Sequence, residues 1–228
     1  MNNNCEKNFY LVAGPNGSGK TTLARELVTR HNIPFLNADE IAREQNVSMI
    51  QAGRQLLGQV EAVMSAEQSF ALETTLSGKF HKTIINMARD MQYKIIFIYV
   101  FLASVEQNLQ RIQQRVKLGG HNVAEDVVRR RYAKSLLNFE PTYKMSDFWM
   151  LYYNGGGLFR LVAKGTTDLF EFVDANSYNL FSIYQQQQLS CQISELASIG
   201  ARKAQIAAKQ AGVPVCIALN DKLVNVKL

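Results

Sequence analysis

Asn8 to Thr22 reads NFYLVAGPNGSGKTT, and its order decides the fold. Asn8–Ala13 is a short apolar run of aromatic and β-branched residues, which predicts a buried strand. Gly14 to Thr21 then fits the spacing G-x-x-x-x-G-K-[ST] in full. Lys20 to His31 carries Leu23, Leu27 and Val28 at helical spacing, and Asn32 and Pro34 end that helix. A strand, a glycine-rich turn and a helix in this order make a phosphate cradle. Gly14, Gly17 and Gly19 let the backbone point its N–H groups inward, in front of the positive end of the helix. Pro15, Asn16 and Ser18 fill the turn. Lys20 supplies a point charge for the β- and γ-phosphates, Thr21 a hydroxyl for Mg²⁺, and Thr22 one more donor. The motif identifies ATP or GTP binding, but it does not separate a kinase from an ATPase motor or a switch.

Working outward, the same pattern recurs. Pro34 to Asn37 reads as a second strand, and Asn37 with Glu40 as a capping box opening a helix. Ser48 with Gln51 gives another box before Leu56, Leu57, Val60, Val63 and Met64. Ser69–Thr74 reads as a third strand and Lys79–Gln92 as a helix. Tyr93–Leu102 is the most continuous apolar segment, a central strand buried on both faces. Ser104 with Gln107 caps a helix to about Leu118, broken by Gly119-Gly120. Asn122 with Glu125 caps the next, through about Phe139. Phe148–Tyr153, a turn at Gly155–Gly157 and Phe159–Lys164 follow as strand, turn and strand. Asp174 to Gln210 reads as mainly helical, and Gly212 to Leu228 as two strands around Asn220-Asp221. Strands alternating with helices imply a mostly parallel sheet in a three-layer α/β/α fold. Residues 1–173 are expected to form the core. Residues 174–228 are expected to be helices and a short hairpin packed on it within the same domain.

Composition sets the bounds. The chain has 228 residues, 47% hydrophobic and 19% charged, ordinary for a globular protein. Cys5, Cys191 and Cys216 are widely spaced and form no C-x-x-C, so neither a disulfide framework nor a metal knuckle is indicated. The apolar run Ile95–Ala103 is too short to cross a bilayer, and no apolar signal core precedes Phe9. A cytoplasmic protein without membrane partners is expected. The net charge of +6 favours anionic partners without choosing among them.

Ligands of open α/β sheets lie beyond the carboxyl ends of the strands. Asp39 after the second strand and Glu73 at the end of the third are therefore expected at the mouth of the cradle. Helix-dipole placement for Asp39 and a solvated strand end for Glu73 are the plainer alternatives. Phosphoryl transfer to an alcohol needs a carboxylate near the acceptor oxygen. Asp39 is assigned as that base, and Glu73 as a ligand of substrate hydroxyls or of a magnesium-bound water. Thr74, Thr75 and Ser77 are placed as donors to the acceptor. Arg111, Arg115, Arg129, Arg130 and Arg131 crowd a two-helix segment hinged at Gly119-Gly120-His121, able to bring positive charge onto the transferred group. Glu125–Arg129 and Asp126–Arg130 at i,i+4 give the surface alternative. Tyr132, Phe139, Tyr143 and Trp149 read as packing rather than a base-stacking platform.

Four blocks together, AGPNGSGKTT (13–22), NADEIA (37–42), ETTLSG (73–78) and RVKLGGHNVAEDVVRRRYAKSLLN (115–138), make the chain resemble the zeta toxin family of P-loop kinases over roughly residues 8–165. The resemblance implies a fold similar to nucleoside-monophosphate kinases, ATP and Mg²⁺, and transfer to the sugar 3′-hydroxyl of UDP-N-acetylglucosamine. It also implies an antitoxin partner. By position, Lys20 and Thr21 resemble the phosphate lysine and the magnesium hydroxyl, Asp39 the catalytic base, and Glu73 the acidic substrate residue. Arg115 and one of Arg130 or Arg131 resemble the flap arginines, and Arg131 is also placed toward the substrate. His121, read from its position at the hinge rather than from the resemblance, is a candidate for a helix cap, a phosphate contact or, less favoured, a substrate contact. Two competing readings are a nucleic-acid-directed kinase or ATPase, ranked behind for want of an aromatic–basic stripe, and a non-catalytic, ATP-gated interaction module.

Overall fold

The structure, a computed structural model, describes residues 6–120, 122–211, 215–219 and 222–226. Its elements follow in chain order as β1 (Asn8–Ala13), α1 (Lys20–His31), β2 (Phe35–Asn37), α2 (Ala38–Glu44), α3 (Met49–Ser65), β3 (Phe70–Thr74), α4 (Phe80–Asp90) and β4 (Lys94–Phe101). There follow α5 (Val105–Lys117), α6 (Glu125–Tyr143), β5 (Phe148–Tyr153), β6 (Arg160–Gly165), β7 (Phe170–Phe172), α7 (Ala175–Ala211), β8 (Val215–Leu219) and β9 (Lys222–Val226). Two compact units divide the chain between Gln185 and Gln186.

The first unit is built on a seven-stranded sheet in the order β2-β3-β1-β4-β5-β6-β7. β2 to β5 run parallel, while β6 and β7 are antiparallel additions. β4 is the middle strand, as its unbroken apolar sequence requires. Period-two alternation sends neighbouring side chains to opposite faces. Phe9, Leu11 and Ala13 of β1 and Ile95, Phe97, Tyr99 and Phe101 of β4 enter the larger core, with α3, α4, α6 and the start of α7. Val12 and Ile98 instead meet Ala24 of α1 on the other face. β1 lies between β3 and β4, where the chain order reverses, so its carboxyl end opens onto the crevice of the sheet. Tyr132, Phe139 and Trp149 are buried, and Tyr143 packs against the same core.

Several local expectations need correction. Asn37 caps α2 through the Asp39 N–H, and no capping box closes, because Glu40 turns to Arg25 of α1 instead. The box at Ser48 and Gln51 does form. α6 starts with Ala124 at its cap and no side-chain acceptor, while Asn122 faces a cavity. Pro141 does not end α6: it removes one ladder bond, and burial of Phe139 and Thr142 carries the helix to Tyr143. β6 spans Arg160–Gly165 and returns antiparallel, since the short glycine turn is too brief for a crossover. β7 is an addition to the expected strands; it is three residues long, with Phe170 and Phe172 each edge-on to Tyr178.

In the second unit, β8 and β9 pair antiparallel as expected, and the turn Asn220-Asp221 lies outside the described residues. No helix among the described residues is long and apolar enough to cross a membrane.

His81 of α4 is buried, and its Nε2 meets the Thr142 hydroxyl at 3.1 Å. Burial, helped by the charge of Lys82, lowers its pKa from 6.5 to about 4, against a backbone hydrogen bond at Gly78. The unfolded chain therefore binds this proton first as pH falls. The contribution is intact above about pH 6.5 and is lost progressively toward pH 4. The midpoint of urea unfolding is expected to drop across that window, and less steeply in His81→Gln.

Candidate active site

The turn after β1 is shaped by what presses on it from outside. Gly17 has φ 81° and Gly19 φ 93°, the left-handed region where a side chain is strained. A Cβ at Gly17 would sit 2.6 Å from the Asn108 carbonyl oxygen, and one at Gly19 would strike the Asn154 amide. Asn108 of α5 donates to the Asn16 carbonyl at 2.7 Å. Asn154, just past β5, donates to the Ser18 carbonyl at 2.9 Å, and Arg111 donates to the Asn154 carbonyl. Two asparagines thus buttress the loop from behind. Sequence reading missed both. Their signals were an asparagine four residues before Ile112 on the inner face of α5, and one closing the apolar run FWMLYY.

The inner side of the loop is prepared for an anion. Gly19 stands at the cap of α1 with no side-chain acceptor, so the positive helix end is open. Asn16 Oδ1 and Ser18 Oγ of the loop, and Asn108 Oδ1 and Asn154 Oδ1 of the residues behind it, are buried without a protein partner.

Glu73 sits across from this cradle. Parallel register sets it beside Asn37 on β2 and Val12 on β1. It is 6% exposed and fully engaged. Thr21 Oγ1 donates to Oε1 at 2.9 Å, Asn37 Nδ2 donates to Oε2 at 3.0 Å, and Lys20 Nζ lies 3.4 Å away. Lys20 also reaches the Pro15 carbonyl at 3.5 Å. A buried carboxylate needs such partners to remain charged.

A cavity of about 850 Å³ opens here, lined by Asn16, Gly17, Lys20, Thr21, Asp39, Glu73, Arg115 and Arg131 among others. A second, of about 500 Å³, shares Asn37, Asp39, Met49, Glu73 and Arg131 with it and carries Thr74, Thr75 and Ser77. Its outer wall is apolar, from Met49, Ile50, Leu57 and Phe80. Asp39, exposed in the first turn of α2, stands where the two cavities meet.

The remaining residues sort plainly. Gly14, Pro15, Ser18 and Gly19 form the loop itself. Thr22 is exposed on α1 and lines neither cavity, and the same is true of Arg130 on α6. Arg129 pairs with Glu106 and Glu125, as a surface arginine would. Thr75 and Ser77 exchange a hydroxyl hydrogen bond at 2.9 Å. His121 lies outside the described residues.

Thr21 Oγ1 and the Glu73 carboxylate are hard oxygen donors side by side. Among the described residues no group of three or more His, Cys, Asp or Glu could hold a metal alone. This donor set suits Mg²⁺, which keeps waters and takes further oxygens from phosphates.

A family model described as AAA domain matches residues 10–142, a span that includes the loop, both carboxylates and the arginines of α5 and α6. An uncharacterized protein of Haemophilus influenzae is 36% identical over 129 residues, 54% of this chain and 90% of its own length. The AvrRxo1-ORF1:AvrRxo1-ORF2 complex, solved with sulphate ions, contains a chain similar at TM-score 0.58 and 15% identity. Solved with ATP, it gives TM-score 0.55 and 16% identity. Both likenesses cover 77% of this chain and 63% of that one, so this chain spans less than two thirds of its length. A chain from the PezAT chromosomal toxin-antitoxin system of Streptococcus pneumoniae matches at TM-score 0.52 and 14% identity, over 81% of this chain and 88% of that one. These structural likenesses show a shared three-layer fold with a mostly parallel sheet.

Asn154→Ala removes the donor to the buried Ser18 carbonyl. Leaving that acceptor unpaired is expected to cost about 1–3 kcal/mol in urea unfolding. It should also weaken binding of a fluorescent ATP analogue, because the loop loses one of its two rear supports.

Proposed function

Since the chain belongs to the AAA domain family, we propose that it is a P-loop phosphotransferase, moving the γ-phosphoryl of ATP to a hydroxyl group of a small molecule. One observation carries this reading. Asp39 stands at the junction of two cavities, one holding the phosphate cradle and the other hydroxyl-bearing and apolar side chains. A switch or motor needs the first cavity and has no use for a second one beginning at a carboxylate.

In this reading the triphosphate lies along the loop, against the backbone N–H groups and the open end of α1. Lys20 turns from Glu73 toward the β- and γ-phosphates. Thr21 and Glu73 would hold Mg²⁺, which supplies charge neutralisation when bound. The acceptor occupies the smaller cavity with its hydroxyl at Asp39. The acceptor oxygen forms a bond to the γ-phosphorus while the bond from that phosphorus to the β–γ bridging oxygen breaks. Asp39 takes the hydroxyl proton, and ADP leaves with the bond's electron pair. Arg115 and Arg131, both on the larger cavity, balance charge on the transferred group. Arg131 serves this role in preference to Arg130, which lines neither cavity.

The zeta-type reading extends this proposal to a UDP-N-acetyl amino sugar as acceptor, a cytoplasmic site of action and an antitoxin as partner. The four sequence blocks support it, as does the likeness in fold to a chain of a toxin-antitoxin system.

Labelled ATP offered with UDP-sugars and nucleosides is expected to yield a phosphorylated acceptor. Asp39→Asn should lower that turnover by about 10²–10⁴-fold, with ATP binding retained. Full activity in that variant would remove Asp39 from the mechanism, and turnover indifferent to every acceptor would remove the phosphotransferase reading.

A further inference from the structure

Asn37 is the last residue of β2 and the cap of α2, and its side chain is 7% exposed. Both ends of its amide are used. Oδ1 accepts the Asp39 N–H at 2.8 Å, and Nδ2 donates to Glu73 Oε2 at 3.0 Å. The partners fix the orientation. A flipped amide would set oxygen against a carboxylate and NH₂ against an N–H. One buried side chain therefore touches the backbone of the proposed base and the carboxylate beside the proposed metal hydroxyl.

A cap alone does not need this arrangement. Ser, Thr and Asp cap helices about as well as Asn. None of them carries an amide N–H at that reach, so the contact to Glu73 is particular to asparagine. The two segments it joins are unequal. Glu73 is the next-to-last residue of an interior strand of the sheet, whereas Asp39 is exposed on a helix of seven residues. Without the bridge, Asp39 would be placed only through the rest of α2, by Ile41 in the core and the Glu40–Arg25 pair.

We propose that Asn37 is a positioning residue, which references Asp39 to Glu73 and so fixes the acceptor hydroxyl relative to the phosphoryl group held by Lys20 and Thr21. This rests on the phosphotransferase reading. Asn37 itself touches no reacting atom. It acts by holding two carboxylate-bearing segments in register across β2 and β3.

The test compares Asn37→Ala, which loses both contacts, with Asn37→Ser and Asn37→Asp, which keep the cap and lose the donor. Urea midpoints of the Ser and Asp variants are expected below wild type, because each leaves buried Glu73 without its amide donor and the Asp variant sets a second carboxylate against it. The Ala variant, which also loses the cap, should lie below the Ser variant. With Mg²⁺-ATP and UDP-N-acetylglucosamine, kcat of the Ser and Asp variants should fall by about 100-fold, the scale of a small misplacement of reacting groups. Their KM for ATP should move little. Wild-type kcat in Asn37→Ser would reduce Asn37 to a helix cap and overturn the proposal.

A second measurement does not depend on the acceptor. Urea midpoints of Asn37→Ser, Glu73→Ala and the double variant form a cycle. Non-additive shifts are expected, because each single change already breaks the shared hydrogen bond. Additive shifts would show that Asn37 does not hold Glu73 and would overturn the proposal. A wild-type protein inactive toward this acceptor and toward other UDP-sugars and nucleosides would instead count against the phosphotransferase reading, and the cycle would still decide the link.

Discussion

A carboxylate removed from water must be given partners, and the site is organised around that constraint. Glu73 is buried at the end of an interior strand and is satisfied by a hydroxyl, an amide and an ammonium group. The partners come from two places. Thr21 and Lys20 belong to the first turn of α1, and Asn37 ends β2. Meeting the needs of one charge therefore locks the phosphate loop, the strand edge and the start of α2 together. The reverse dependence also holds. Lys20 is 6% exposed, and its charge is balanced by Glu73.

The loop is held from both sides by different means. From behind, Asn108 and Asn154 occupy two of its carbonyls, and glycine is required wherever they press closest. From within, the N–H groups at the start of α1 are left open. Satisfying the outward carbonyls while leaving the inward groups free gives a rigid cradle without filling it. Rigidity of this kind matters for electrostatic recognition, since dipoles that are already oriented cost nothing to reorganise.

The antiparallel end of the sheet shows how local chemistry redirects topology. A parallel neighbour for β5 would need a crossover of a dozen or more residues. Gly155–Gly157 allows only a hairpin, so β6 folds straight back, and Asn154 is held at the carboxyl end of β5 next to the loop. The buttress of the phosphate cradle is thus a by-product of where that hairpin turns.

The sequence alone determined the strand–loop–helix unit, the central place of β4, the alternation of strands with helices, and Asp39 just after one strand and Glu73 at the end of another. These are readable because period, glycine spacing and strand ends are local properties. Tertiary structure decided the rest. The periodicity of α6 does not say which of Arg130 and Arg131 faces the cavity, because that depends on the rotation of the helix against the sheet. The capping pattern at Asn37 is visible in the sequence, but Glu73 as its second partner is 36 positions away. Asn108 and Asn154 lie 92 and 136 positions from the carbonyls they support. A hydrogen bond needs a donor and an acceptor within about 3 Å in space. Only the packed sheet brings such distant groups that close.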